Sequence, residues 1–381
     1  MLENFFGEEI EKTVFLSAAQ MREARPGPVR GKYFKDTAIF NIFPPELSER
    51  GELLGRSFRK ALNRTPKVLR GRRTGKIQFY FDGKPINAEP YELHQNIFSR
   101  NKGILETDKM DHKRAVILGC GSVGSLVAME LARSGVGHFL LADPDIMEYH
   151  NICRHQCGIE DVGDLKINAL KRKLLNINPQ IDVQIFEGIV QNIPKAMLDD
   201  FCVKGKTVFV GCADNRGADV YANRISIYYG AAFLSVGFWE RAYAGEIFYH
   251  IPDSGMPCYA CALGEGTELS ARVQANHHVY SNQENIEGVR FEPGISVDIN
   301  FITCIGVKLC LDILNMTEPG YRPRLLNDLK QYTLVCNTSD PEIGGEMVEI
   351  FSYPLQVTTS LKVGFHSEKC TGQCRYEIED H

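Results

Sequence analysis

The sequence predicts an α/β fold: a mostly parallel sheet with helices on both faces, joined to a small N-terminal α+β domain. Three observations predict it. An apolar strand, 115–118, runs into a glycine turn and a small-residue helix, and a second strand, 138–142, then ends on Asp143. From about residue 96 onward, apolar runs alternate with segments of helical spacing, as in a parallel sheet covered on both sides. Residues 1–95 break that rhythm. The order strand, glycine turn, helix, strand, acid makes the second domain Rossmann-like.

The elements follow in order. Residues 26–32, rich in Gly, Pro and base, read as a loop, and 46–63 have helical spacing. Residues 76–86 read as a hairpin, because Asp82-Gly83 suits a two-residue turn with positive φ. Beyond residue 96, strands are expected at 182–186, 207–212, 233–236 and 244–250. Helices are expected at 165–176, 194–201, 218–229 and 297–315, the last apolar on most faces and therefore buried. The domains are placed at 1–95 and 96–381.

Composition excludes several classes. Of 381 residues, 44% are apolar and 24% charged, which is ordinary for a globular protein. A net charge of −5 gives no global pull toward nucleic acid. No apolar run approaches the roughly 18 residues of a membrane span, and the acidic first twenty residues do not read as a signal peptide. Nine basic residues and no acid lie between Arg56 and Lys76. They read as a solvated face, or as a docking patch for an acidic partner; aromatic interleaving for nucleic acid is nearly absent. Without a secretion signal, the twelve cysteines are expected reduced, in a cytoplasmic setting. Cys120, Cys202, Cys212, Cys304 and Cys310 lie in apolar segments as small hydrophobes.

The glycine turn, Gly119-Cys-Gly121-Ser-Val-Gly124, lets the backbone approach phosphates at a helix N-terminus, and Asp143 is placed to take ribose hydroxyls. Alone, this suggests an NAD-dependent oxidoreductase. Asp145, Asn151, Arg154, Lys166 and Asp214-Asn215 then converge on the same sheet edge. Hydride transfer needs no cations beside the phosphates; breaking a triphosphate does, with a carboxylate for Mg²⁺.

That ordered series, with Gly163-Asp-Leu-Lys166 and Asn178-Pro179, resembles the ubiquitin-activating enzyme superfamily, including ThiF/MoeB/HesA-type adenylating enzymes. The resemblance covers about residues 96–320. It implies that Gly119, Gly121, Gly124, Asp143 and Asn151 hold ATP, that Arg154 and Lys166 contact its phosphates, and that Asp214 binds Mg²⁺. It also implies that Arg100, in Phe98-Ser-Arg-Asn101, reaches into a partner subunit's site in a homodimer. The implied reaction adenylates the C-terminal carboxylate of a ubiquitin-like or sulfur-carrier protein with a glycine tail. The N-terminal domain would recruit that protein or a downstream conjugating enzyme. His155 stands where the family commonly has Gln, a departure expected to change little.

Cys258-x-x-Cys261 has a spacing that lets both thiolates reach one metal, and Cys370-x₃-Cys374 is compatible. The resemblance implies a structural Zn²⁺ on these four, with a crossing loop over 262–292. Many relatives carry a catalytic cysteine in that loop; here 262–303 has none, and Arg290 stands near the place. Cys304 is expected buried and unreactive, while Cys153 and Cys157 look accessible. Thioester formation stays open. So does a second function, adenylation of a ribosomally made peptide by an enzyme of the same fold.

Overall fold

The computed structural model describes residues 97–213, 215–239, 242–263 and 294–337. It also describes short pieces at 355–370 and, within residues 1–96, the backbone of six strands. The chain divides into two compact units, Met1–Arg100 and Asn101–His381.

The first unit holds β1 (Thr13–Ser17), β2 (Arg30–Phe34), β3 (Ile39–Ile42), β4 (Glu52–Leu53), β5 (Phe79–Phe81) and β6 (Lys84–Tyr91). They form one sheet in the order β4-β2-β3-β1-β6-β5. β1 runs parallel to β3 and β6, and the remaining pairs are antiparallel. The expected hairpin is present, with Phe81 opposite Lys84 across Asp82-Gly83. Two expectations need correction. β2 starts inside the stretch read as a loop, because its pairing with β3 outweighs the Gly and basic composition. Glu52–Leu53, inside the expected helix, is strand paired to β2, while the rest of 46–63 and the basic run lie outside the described residues.

The second unit opens with α1 (Thr107–Met110), β7 (Arg114–Leu118), α2 (Ser122–Arg133), β8 (His138–Ala142), α3 (Lys166–Ile177) and β9 (Asp182–Phe186). It continues through α4 (Lys195–Phe201), β10 (Thr207–Gly211), α5 (Arg216–Tyr228), β11 (Ala232–Phe238) and β12 (Ala244–His250). Last come α6 (Tyr259–Ala262), α7 (Ser296–Asn315), β13 (Tyr332–Cys336) and β14 (Val357–Leu361). The eight strands take the order β14-β13-β12-β11-β10-β7-β8-β9. β11, β10, β7, β8 and β9 are parallel neighbours, and β12 to β14 extend the sheet antiparallel.

Side-chain alternation along the parallel strands builds a core on each face. Ala115, Ile117, Phe139, Leu141, Val208 and Val210 pack under α2, α3 and α7. Val116, Leu118, Leu140, Phe209 and Phe233 pack under α4, α5 and α6. Each large apolar side chain removed from water here contributes about 1.5–3 kcal/mol. α7 is only partly buried, contrary to expectation. Val297, Phe301, Cys304 and Lys308, spaced i, i+4, i+7, i+11, form an exposed stripe. Cys304 is therefore exposed, because its apolar sequence neighbours Ile302 and Val307 point to the other side of the helix.

Chain order fixes where a ligand fits. From β7 the chain runs outward through β8 and β9, then returns to add β10 and β11 on the other side of β7. The strand order thus reverses between β7 and β10, and the crevice at their C-terminal ends is the usual ligand position in such sheets. Gly119, directly after β7, has φ +90° and lies against the backbone of Cys212 and Ala213, which follow β10. A Cβ on Gly124 would sit 1.8 Å from the Gly119 carbonyl oxygen, whereas one on Gly121 would meet nothing within 4 Å. Gly124→Ala should therefore cost about 2–3 kcal/mol in urea unfolding, since backbone must move. Gly121→Ala should cost under about 1 kcal/mol; equal losses would contradict this division of roles.

Candidate active site

The glycine turn is held from below by one carboxylate. Asp143, at the end of β8 and 5% exposed, accepts the Cys120 N–H at 2.6 Å through Oδ2 and the Asp145 N–H at 2.8 Å through Oδ1. Each oxygen keeps a second lone pair for a ligand hydroxyl. Burial holds this carboxyl above the ordinary carboxylate value, against the pull of Lys166 and the two backbone donors. A Cβ on Gly121 would meet nothing within 4 Å, and α2 starts there without a side-chain cap for its first N–H groups, the groups a helix N-terminus offers an anion.

Lys166 is the first residue of α3. Its backbone N–H donates to the Asp145 carbonyl, and its buried ammonium donates to Asp145 Oδ2 at 2.8 Å. The ammonium also acts electrostatically on Asp143, Cys120 and His155, so one positive charge sits among the groups around the glycine turn. The sequence reading gave Asp145 no task; the structure makes it the partner of Lys166.

The segment between β8 and α3 carries the other candidates. Asn151 accepts the Glu148 N–H at 2.9 Å through Oδ1, so its amide N–H groups are the donors of that side chain. Arg154 and His155 donate their backbone N–H groups to the Asn151 carbonyl. Asp161 fastens this loop to α3, accepting from Gly158 N at 3.0 Å and from Arg172 at 2.8 Å. The Arg154 guanidinium lies near Gly294, just before α7: a Cβ there would be 3.8 Å from its Nη1. Arg100 is exposed. Asn101, its chain neighbour, donates through its amide to the carbonyl of Arg133, at the end of α2 remote from the glycine turn. Asn178, directly after α3, makes a structural turn, its Oδ1 accepting from Gln180 N at 3.1 Å. Asp214 lies outside the described residues; Asn215 beside it caps α5, accepting from Gly217 N and Ala218 N at 2.9 and 3.2 Å.

The Cys258 and Cys261 sulfurs are 3.6 Å apart, and Cys258 and Cys370 are 3.9 Å apart. All three Sγ atoms fall within 4.8 Å of one another. A tetrahedral zinc with Zn–S near 2.3 Å sets its sulfurs about 3.8 Å apart, so three thiolates fit and one vertex is left for a fourth ligand. Cys374 lies outside the described residues, as does most of the crossing loop at 262–292. The knuckle is tied to α5: Tyr259 N donates to Asn223 Oδ1 at 2.8 Å, and Arg216 donates to the Tyr259 hydroxyl at 2.6 Å. Arg216 also pairs with Glu246, which accepts from the Tyr332 hydroxyl at 2.6 Å. No motif foretold this network, because its members come from four separate elements.

Burial raises the thiols of Cys120, Cys157, Cys202, Cys212, Cys304, Cys310 and Cys336 above the ordinary value. Cys157, expected accessible, is buried, and burial pushes it up to about 12. Cys304 is exposed, yet partial burial and then Glu130 raise its thiol. Cys153 is exposed, its Sγ 3.3 Å from the His150 carbonyl.

Metal analysis of purified protein should find about one zinc per chain. Cys258→Ser should lose it and lower the melting temperature, while metal-free protein of unchanged melting temperature would remove the assignment.

Comparison with known proteins places this geometry in a family. The ThiF family model matches residues 93–341, more than half of the chain. Ubiquitin-like modifier-activating enzyme 5 of Gallus gallus is 29% identical over 234 residues, covering 57% of this chain and 56% of that protein. Sulfur carrier protein ThiS adenylyltransferase of Bacillus subtilis is 32% identical over 160 residues, covering 41% of this chain and 45% of that one. The chain thus spans about half the length of the curated relatives it matches. Among solved structures, E. coli MccB with AMPCPP and MccA superposes with a TM-score of 0.51 at 19% identity, covering 73% of this chain and 74% of that one, which is a likeness of fold. With the glycine turn, Asp143 and Lys166 set at the switch point of a Rossmann-like sheet, the chain belongs to the ThiF family.

Proposed function

We propose that this protein uses ATP and Mg²⁺ to adenylate the C-terminal carboxylate of a ubiquitin-like or sulfur-carrier protein. The observation that carries the reading is the buried Lys166 ammonium among the groups around the glycine turn. A dehydrogenase of this fold leaves that charge without a task, whereas a departing pyrophosphate needs it. Asp143 would accept the ribose hydroxyls, and the turn N–H groups would receive the phosphates. A substrate carboxylate oxygen bonds to the α-phosphorus, the bond to the bridging oxygen breaks, and pyrophosphate leaves with that oxygen. Asp214, three residues past β10 in sequence, would hold the magnesium whose charge offsets that of the phosphates. Zinc on Cys258, Cys261, Cys370 and Cys374 would be structural, holding the knuckle that Asn223 and Arg216 join to α5.

Arg100 would serve a second copy's nucleotide in a homodimer. Asn101 is tied to the far end of α2, a twelve-residue helix, about 18 Å from its glycine turn. The N-terminal domain would recruit the carrier or a conjugating enzyme. A second reading, adenylation of a ribosomally made peptide, is favoured by one observation: 262–303, where many relatives carry a catalytic thiol, holds no cysteine.

Exchange of labelled pyrophosphate into ATP separates the readings. Stimulation by a small folded protein with a Gly-Gly tail supports the first, and stimulation by a short peptide alone supports the second. No exchange with either defeats both. Lys166→Ala should lower exchange at least about 100-fold. Mixing it with Arg100→Ala protein should restore up to about a quarter of the activity, because random pairing leaves one intact site in each mixed dimer. Failure of mixing to restore activity would mean that Arg100 does not act across copies.

A further inference from the structure

We propose that His155 is a positioning residue for the phosphate-facing turn, its ring bonded at one nitrogen to the Cys120 carbonyl and at the other to the Cys157 amide. His155 is 8% exposed. Nε2 lies 2.7 Å from the Cys120 carbonyl oxygen, and Cys157 N–H donates to Nδ1 at 3.0 Å. A nitrogen that accepts from an amide carries no proton, so Nε2 carries it and donates to Cys120. The ring is neutral with one tautomer fixed. Burial lowers its basicity below the ordinary imidazole value; the bond to Cys120 opposes this, Lys166 adds to it, and Asp161 opposes it.

Two consecutive peptide groups are thus gripped, one on each side of the Cys120 Cα. The Cys120 N–H goes to Asp143 and the Cys120 C=O to His155. The Cys120 carbonyl shares its peptide plane with the Gly121 N–H, so the bond to His155 sets the direction of that N–H. The same ring fastens the segment carrying Asn151 and Arg154 to that turn, aided by Gln156 N donating to Ser125 Oγ on α2 at 3.3 Å. Glutamine can make the same pair of bonds, its amide nitrogen donating and its oxygen accepting. Leucine fills a similar volume and makes neither.

The inference rests on the nucleotide reading of this edge, so ATP and adenosine are each titrated into wild type, His155→Leu and His155→Gln. His155→Leu should bind ATP about tenfold more weakly and adenosine unchanged, since the turn touches phosphates and not the base. In pyrophosphate exchange the KM for ATP should rise with little change in kcat. His155→Gln should stay within about twofold of wild type. Equal weakening for ATP and adenosine, or none, would leave His155 a packing residue and overturn the proposal. If His155→Leu does not fold, His155→Gln and the ring-¹⁵N shifts of wild type decide. A Gln variant that binds ATP tenfold more weakly, or a proton on Nδ1, overturns it. If wild type binds no ATP, the nucleotide reading itself has failed.

Discussion

The bond from the Cys120 N–H to Asp143 is the constraint on which the site depends. It joins the first turn after β7 to the end of β8, so the glycine-turn backbone and the acid cannot move independently. Burying a carboxylate is costly, and Asp143 is raised accordingly. Two backbone donors and the Lys166 ammonium offset that cost without using all its lone pairs. A group held this way is pre-organised, and a ligand hydroxyl meets an acceptor already in place.

Around that pair the fold supplies rigidity. β7 is flanked by parallel strands on both sides, and the turn packs so closely that Gly124 has no room for a methyl group. Asp161 and Arg172 hold the loop above to α3. On the opposite face, the thiolate knuckle reaches the start of α5 through Tyr259, Arg216 and Glu246. A metal centre at Cys258 would therefore stiffen α5, whose cap Asn215 lies at the C-terminal edge of the parallel strands, without contact between the metal and that edge.

What the sequence made legible was local. The glycine turn, the acid ending β8, the lysine opening α3 and the Cys258-x-x-Cys261 knuckle each announce themselves within a few residues, and the structure places them as their spacing implies. The Asp82-Gly83 hairpin was legible for the same reason. What escaped depends on contacts between distant residues. His155 meets Cys120 across 35 positions, so its role has no spacing to read. Arg216 meets Glu246 and Tyr259 from separate elements. Cys304 was misplaced because composition does not say which side of a helix faces out, and Val297 and Phe301, exposed on the same stripe, are themselves apolar.

The claim that Asp143 receives a ribose is tested most directly by calorimetric titration of ATP and 2′-deoxy-ATP into wild type and Asp143→Asn. Wild type should prefer ATP by about 10–100-fold, the worth of a hydrogen bond to a charged acceptor, and the variant should lose that preference. Equal affinity of wild type for the two nucleotides, or the same preference surviving in the variant, would contradict the account.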